Sequence, residues 1–248
     1  MPVISFASAK GGAGKTTSAI VLGTTLAQRY TVVIIDADPA KRLMSWADKG
    51  PLPLRLEVMA SGGERHIMDE IEAAQRRADF VLVDLEGAAT RTNAYAMSQS
   101  DLVIIPMGDE TSDAEGAIET LHFLDMEARA SRRNIPMRIL FCRTEPFIKT
   151  RQMSSVNQQI RDRYGAFSTE LAKRAAYSAL HGYGGDLYTM DIDNVTGVSK
   201  AIYNAELLCE EVLKALATFQ GILRENTQPN TRSIIENFEP VRSMIHGR

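Results

Sequence analysis

Ala9-Lys10-Gly11-Gly12-Ala13-Gly14-Lys15-Thr16-Thr17 is the stretch whose reading decides the fold. It follows a short apolar run, Val3 to Ala7, and opens into a helix-like segment over 16–28. That strand–loop–helix context is the one a phosphate-binding P-loop requires. Small residues let the backbone curl until several N–H groups point at one phosphate, and the helix adds its positive N-terminal end. The nucleotide-binding candidates are therefore Lys10, Gly11, Gly12, Ala13, Gly14, Lys15, Thr16 and Thr17. Lys15 is expected to neutralise the β- and γ-phosphates, and the Thr16 hydroxyl to serve Mg²⁺. Ala9 stands where G-x-x-x-x-G-K-[ST] has its first glycine, and a second lysine, Lys10, lies inside the loop.

Outward from the loop, β-rich apolar runs alternate with helical stretches. The runs are 3–7, 32–35, 54–59, 80–83, 102–106 and 137–142; the helices are predicted near 16–28, 64–76, 91–98, 112–129, 151–163 and 198–219. Alternation of this kind predicts an α/β fold, a mainly parallel twisted sheet with helices on both faces. The 248 residues, 44% of them hydrophobic, suit one large domain over 1–220 with a polar tail or packing arm over 221–248. Gly182-Tyr183-Gly184-Gly185 reads as a loop.

Two acidic elements complete the chemistry. Ile34-Ile35-Asp36-Ala37-Asp38-Pro39 sets two carboxylates past a buried strand, and Phe80-Val81-Leu82-Val83-Asp84 ends four apolar residues in an acid. In an open parallel sheet, ligands lie outside the carboxyl ends of the strands, which puts these acids near the phosphates and the metal. Asp84 has the Walker B position for holding Mg²⁺. Gly87, three residues on, would let a backbone N–H approach the γ-phosphate and sense its loss. Helix capping is the competing role for Asp36 and Asp38.

These residues resemble the ParA/MinD family of deviant Walker A ATPases, whose loop K-G-G-x-G-K-[ST] is matched in full from Lys10 to Thr16. The family's D-x-D-P matches Asp36, Asp38 and Pro39, and its strand ending in Ile-Pro matches Ile105-Pro106. The resemblance implies ATP and Mg²⁺ as cofactors and a homodimer formed on ATP binding. In it Lys10 is the signature lysine, reaching across to the partner's phosphates, and Asp38 positions the attacking water. Thr16, Asp84 and Asp36 would serve Mg²⁺, so Lys10, Lys15 and Asp38 are the catalytic candidates. It also implies slow, dimer-dependent ATP hydrolysis that drives segregation of plasmid or chromosomal DNA, a ParB-like activator and nonspecific DNA binding. The alternatives are positioning of a secretion, DNA-transfer or polar protein complex, or a small-molecule P-loop ligase of the dethiobiotin synthetase type.

The chain departs from the family at Leu85-Glu86-Gly87-Ala88, where a small residue and prolines are usual, and at Cys142-Arg143, where an asparagine near the adenine is common. Arg143 could stack on a purine instead. No helix-turn-helix precedes the loop, so operator binding is not expected.

Charge is uneven. Residues 101–128 hold eight acids and no Lys or Arg, whereas 129–174 hold eleven Lys or Arg against three acids. Solvated compensating faces are one reading. The other is a DNA-phosphate surface that includes Arg132, Arg133, Lys149, Arg151, Arg161 and Arg163. A net charge of −3 argues against strong nucleic-acid binding by a monomer. Cys142 and Cys209 are expected in the core rather than in a disulfide or cluster, and the four histidines lack ligand spacing. Neither a signal peptide nor an apolar run near the ~18 residues of a membrane span is present, so a cytoplasmic, nucleoid-associated place is expected.

Overall fold

The computed structural model describes residues 1–145 and 151–225. Lys149 and the tail beyond 225 lie outside the described residues. Seven parallel strands form the sheet, ordered β3-β2-β4-β1-β5-β6-β7. They are β1 (Val3–Phe6), β2 (Val32–Asp36), β3 (Leu56–Ala60), β4 (Phe80–Asp84), β5 (Leu102–Met107), β6 (Met137–Thr144) and β7 (Leu171–Ala172). The helices are α1 (Lys15–Leu26), α2 (Arg42–Ala47), α3 (Ile67–Gln75), α4 (Arg91–Gln99), α5 (Thr111–Ser131), α6 (Arg151–Tyr164), α7 (Ala175–Tyr183) and α8 (Val198–Glu225).

The strands read as unbroken apolar runs because both sheet faces are buried. Along each strand the side chains alternate between two cores. Ile4, Phe6, Ile34, Leu82 and Ile104 pack with residues of α1, α2, α7 and α8. Val3, Val33, Ile35, Val81, Val83, Val103 and Ile105 pack with residues of α3, α4, α5 and α6. Helix α1 therefore lies almost wholly buried, with ten of its twelve residues inside.

The predicted fold class stands, with three elements added and one strand shifted. Leu54, expected in the third strand, is fully exposed. Leu56 N–H donates to Pro53 C=O in a turn, and β3 begins only there. Helix α2, strand β7 and helix α7 were not foreseen; α7 runs into the predicted glycine loop, which starts at Gly184 instead. Helix α8 extends to Glu225, past the expected boundary at 220.

Candidate nucleotide-binding site

Register at the carboxyl edge of the sheet assembles the site. Phe6 of β1, Asp84 of β4 and Asp36 of β2 are successive pairing partners, so the two acids stand one and two strands from the P-loop. Gly14 caps α1 with φ 109°, a left-handed geometry that favours glycine. A Cβ there would also meet Cys142 Sγ at 3.3 Å. Cys142 is thus the floor under the loop, buried and free, with burial pushing its thiol up to about 12.

Lys15 lies inside the loop, 7% exposed, its Nζ donating to Ser8 C=O (3.4 Å) and Lys10 C=O (3.5 Å). Burial lowers its pKa; the carboxylates of Asp84 and Asp38 pull the other way. Gly87 stands over this ammonium, since a Cβ on it would sit 3.5 Å from Lys15 Nζ. Asn93 of α4 holds the Gly87 turn by donating from Nδ2 to Glu86 C=O (3.1 Å) and Ala88 C=O (2.5 Å).

Thr16 Oγ1 donates to Asp84 Oδ2 at 2.7 Å, while Asp84 Oδ1 is buried without a hydrogen-bond partner among the described residues. A buried, orphaned carboxylate oxygen beside a hydroxyl is a hard-oxygen donor set that fits Mg²⁺. Burial pushes the Asp84 carboxyl up to about 7, and the nearby Asp36 adds to the rise while the Thr16 bond opposes it. Asp36 is used differently. Its Oδ2 accepts from Met44 N–H (3.0 Å) and its Oδ1 from Asp38 N–H (3.2 Å), which fastens α2 to the D-x-D turn. Both Asp36 oxygens thus accept backbone N–H groups of this turn and of α2. Asp38 is half-buried and accepts from Ala40 N–H at 2.8 Å.

Lys10 leaves the loop and folds onto the start of α5. Its Nζ lies 2.9 Å from Asp113 Oδ1 and 2.7 Å from Ser112 Oγ. Its backbone is pressed to the same helix: a Cβ on Gly116 would meet Lys10 Cβ at 2.8 Å, and Ala9 N–H donates to Thr120 Oγ1 at 2.8 Å. Arg143 Nη2 also faces Asp113, 3.4 Å from each of its oxygens. On the other flank, Thr17 Oγ1 and His181 Nε2 are 2.7 Å apart, tying α7 to the P-loop. Asp113, Arg143's attachment to it, and His181 were missed by sequence reasoning. The D-E-T-S-D run after β5 was the available signal, since Glu110 and Asp113 form a capping box on α5.

Among the described basic residues, Arg133 and Arg161 are engaged within the fold. Arg133 donates to Ser98 C=O and Ser100 C=O, and Arg161 pairs with Glu170, donates to Phe167 C=O and lies 4.1 Å over the Phe141 ring. Arg132 occupies the left-handed C-cap of α5, and Arg163 is exposed on α6, whose first residue is Arg151. A separate open groove of about 440 Å³ lies along α8 beside the residue that caps α7, lined by Arg174, Ser199, Lys200, Tyr203, Asn204 and Leu207. Arg174 Nε is buried there without a hydrogen-bond partner among the described residues.

A P-loop after β1, a Thr–Asp pair whose oxygens fit a divalent cation and a parallel sheet ordered in this way define a P-loop NTPase, here with a second lysine in the loop. The VirC1 protein family matches residues 1–225, and the chain belongs to it and, with it, to the ParA/MinD family of P-loop ATPases. It is 35% identical over 218 residues to Protein ParA of Rhizobium radiobacter, covering 87% of this chain and 98% of that one. It is 28% identical over 181 residues to maintenance of carboxysome distribution protein A of Halothiobacillus neapolitanus, covering 70% and 81%. Among solved structures, a putative plasmid partition protein from Borrelia burgdorferi bound to AMPPNP shares the fold with a TM-score of 0.61 and 19% identity, covering 85% and 99% of the two chains. No described helix is long and apolar enough to cross a membrane.

Proposed function

We propose that this chain is a Mg²⁺-dependent ATPase that works as a dimerisation switch. The division of labour between its lysines carries the reading. Lys15 is enclosed in the loop, whereas Lys10 stands outside it with a 28% exposed side chain on the P-loop face. Lys15, Thr16, Thr17 and the loop amides would hold the phosphates, and Thr16 with Asp84 would hold Mg²⁺, which neutralises phosphate charge. Asp38 is near enough to the cradle for its charge to oppose the burial that lowers the Lys15 pKa, and would position water. A cation supplied by a second subunit would make hydrolysis wait for dimerisation.

Size-exclusion chromatography at micromolar protein with ATP, ADP and neither tests this. A dimer is expected with ATP only, and Lys10→Ala should bind ATP yet stay monomeric. A wild-type monomer in all three conditions refutes the switch.

The cargo on this reading is DNA, favoured by the 35% identity to a ParA over nearly its whole length. Arg174, Lys200 and Tyr203 would meet phosphates and sugars without reading sequence. Doubling that surface in a dimer would make DNA binding ATP-dependent despite the net charge of −3. Arg174→Glu with Lys200→Glu should weaken ATP-dependent binding to a random duplex and flatten its salt dependence; undiminished binding removes this interface. The similarity to a carboxysome distribution protein favours the second reading, positioning of a protein assembly.

A further inference from the structure

We propose that Arg143 is a positioning residue for Lys10: it stays paired with the buried Asp113 carboxylate when Lys10 leaves for the partner subunit. The inference rests on the dimerisation reading above. Four segments meet at Asp113. Lys10 comes from the P-loop, Arg143 from the end of β6, Gly108 from the end of β5, and Ser112 and Asp113 from the first turn of α5. Gly108 admits the cluster, because a Cβ there would lie 2.3 Å from Asp113 Oδ2 and 3.0 Å from Arg143 Nη2. The Asp113 side chain is 1% exposed and the Arg143 side chain 51% exposed.

A carboxylate buried to that extent is costly without a cation. Here it has two, at unequal range: Lys10 at 2.9 Å and Arg143 at 3.4 Å. Were Lys10 the sole cation there, every move of its ammonium toward another subunit's phosphates would leave the charge with only the Glu110 N–H of the capping box, and the lysine would stay. Arg143 removes that obstacle. Its long, half-solvated side chain can close on Asp113 as Lys10 departs, and its planar fork can meet both carboxylate oxygens. Glu110 Oε2, 3.5 Å from Lys10 but 75% exposed, is solvated with or without the lysine and holds it only weakly. Arg143 thereby sets how readily the signature lysine exchanges its own Asp113 for a partner's triphosphate. A side chain at the end of β6 would act on dimerisation with no contact to the partner.

The test follows ATP-dependent dimerisation by light scattering, alongside binding of a fluorescent ATP analogue to the monomer. Arg143→Ala should raise the dimer dissociation constant by about tenfold or more, within the range of coupling between sites, while analogue affinity stays near wild type. Arg143→Lys, which keeps the charge but not the two-pronged fork, should fall between wild type and Arg143→Ala. Adding Asp113→Asn to Arg143→Ala should restore dimerisation, because no buried charge is then stranded; a merely structural defect would not be repaired by a second substitution. Wild-type dimerisation of Arg143→Ala overturns the inference alone. So does an equal loss of analogue affinity, which would make Arg143 a base contact. A wild-type chain that stays monomeric with ATP overturns the dimerisation reading and this inference together.

Discussion

Asp84→Asn should stabilise the nucleotide-free fold while destroying the proposed Mg²⁺ site. Asp84 is fully buried, and burial lifts its carboxyl from the ordinary 3.8 to about 7. That rise equals about 4 kcal/mol of preference for the protonated form in the folded state. The folded pKa lies above the unfolded one, so the folded chain binds the extra proton. Stability is therefore undiminished below about pH 4, declines through the window from about 4 to 7, and levels off above it. Asparagine removes the buried charge and keeps an acceptor for the Thr16 hydroxyl, at a cost of about 1 kcal/mol for a weaker, uncharged hydrogen bond. The net expectation is a gain of about 3 kcal/mol at pH 8 that shrinks below about 1 kcal/mol at pH 5. Urea unfolding of both proteins in chelator, without nucleotide, at the two pH values measures it. A variant less stable than wild type at pH 8, or a gain independent of pH, refutes the reasoning. Hydrolysis should be lost in the same variant, the familiar opposition between stability and a charged site.

On the proposed reading Mg²⁺ would have to displace the proton on Asp84, so calorimetric Mg²⁺ affinity in the presence of ATP should fall by about tenfold per pH unit below about 7; a flat profile from pH 5.5 to 8 would mean the carboxylate is already ionised. Lys15→Ala should lose ATP affinity by about tenfold to hundredfold, the value of a charge-assisted contact in a buried site, and unchanged affinity in fluorescence titration would show the cradle to be elsewhere. Asp36→Asn should change Mg²⁺ affinity by less than about threefold, because both carboxylate oxygens already accept backbone N–H groups. A loss matching that of Asp84→Asn would make Asp36 a direct ligand.

The parts of the site legible in sequence are those whose chemistry is local. Gly12 and Gly14 are required by left-handed turns within the loop itself, at φ 76° and 109°. Asp84 announces itself by ending an apolar run that is buried on both faces. What escaped depends on distant partners. Helix α2 has only six residues, too few for a periodic signal, and is held by Asp36 and by Trp46 Nε1 donating to Gly185 C=O at 3.1 Å. Strand β7 is two residues long and exists through pairing with Cys142 and Thr144. The basic segment illustrates the same limit. Composition registers the charges of Arg133 and Arg161, but their use against backbone carbonyls and Glu170 is a property of packing.

Lys10 is the case in which both kinds of information are needed. Its presence in the loop is read from sequence, but its resting partner comes from a helix a hundred residues away. That partner has a consequence for the switch. On the proposed reading, ATP entering the cradle would deliver charge to Lys15 and to the α1 N-terminus, not to a lysine held on Ser112 and Asp113. Nucleotide alone therefore gives Lys10 little reason to move, because a ligand shifts an equilibrium only by its differential interaction with the two states. On the proposed reading, the differential arises when a second loaded subunit brings its triphosphate within reach. The response would then depend on ATP occupancy of both subunits and on protein concentration, which makes assembly sharp where the chain is concentrated and absent where it is sparse. A lysine free in solvent would lack that threshold.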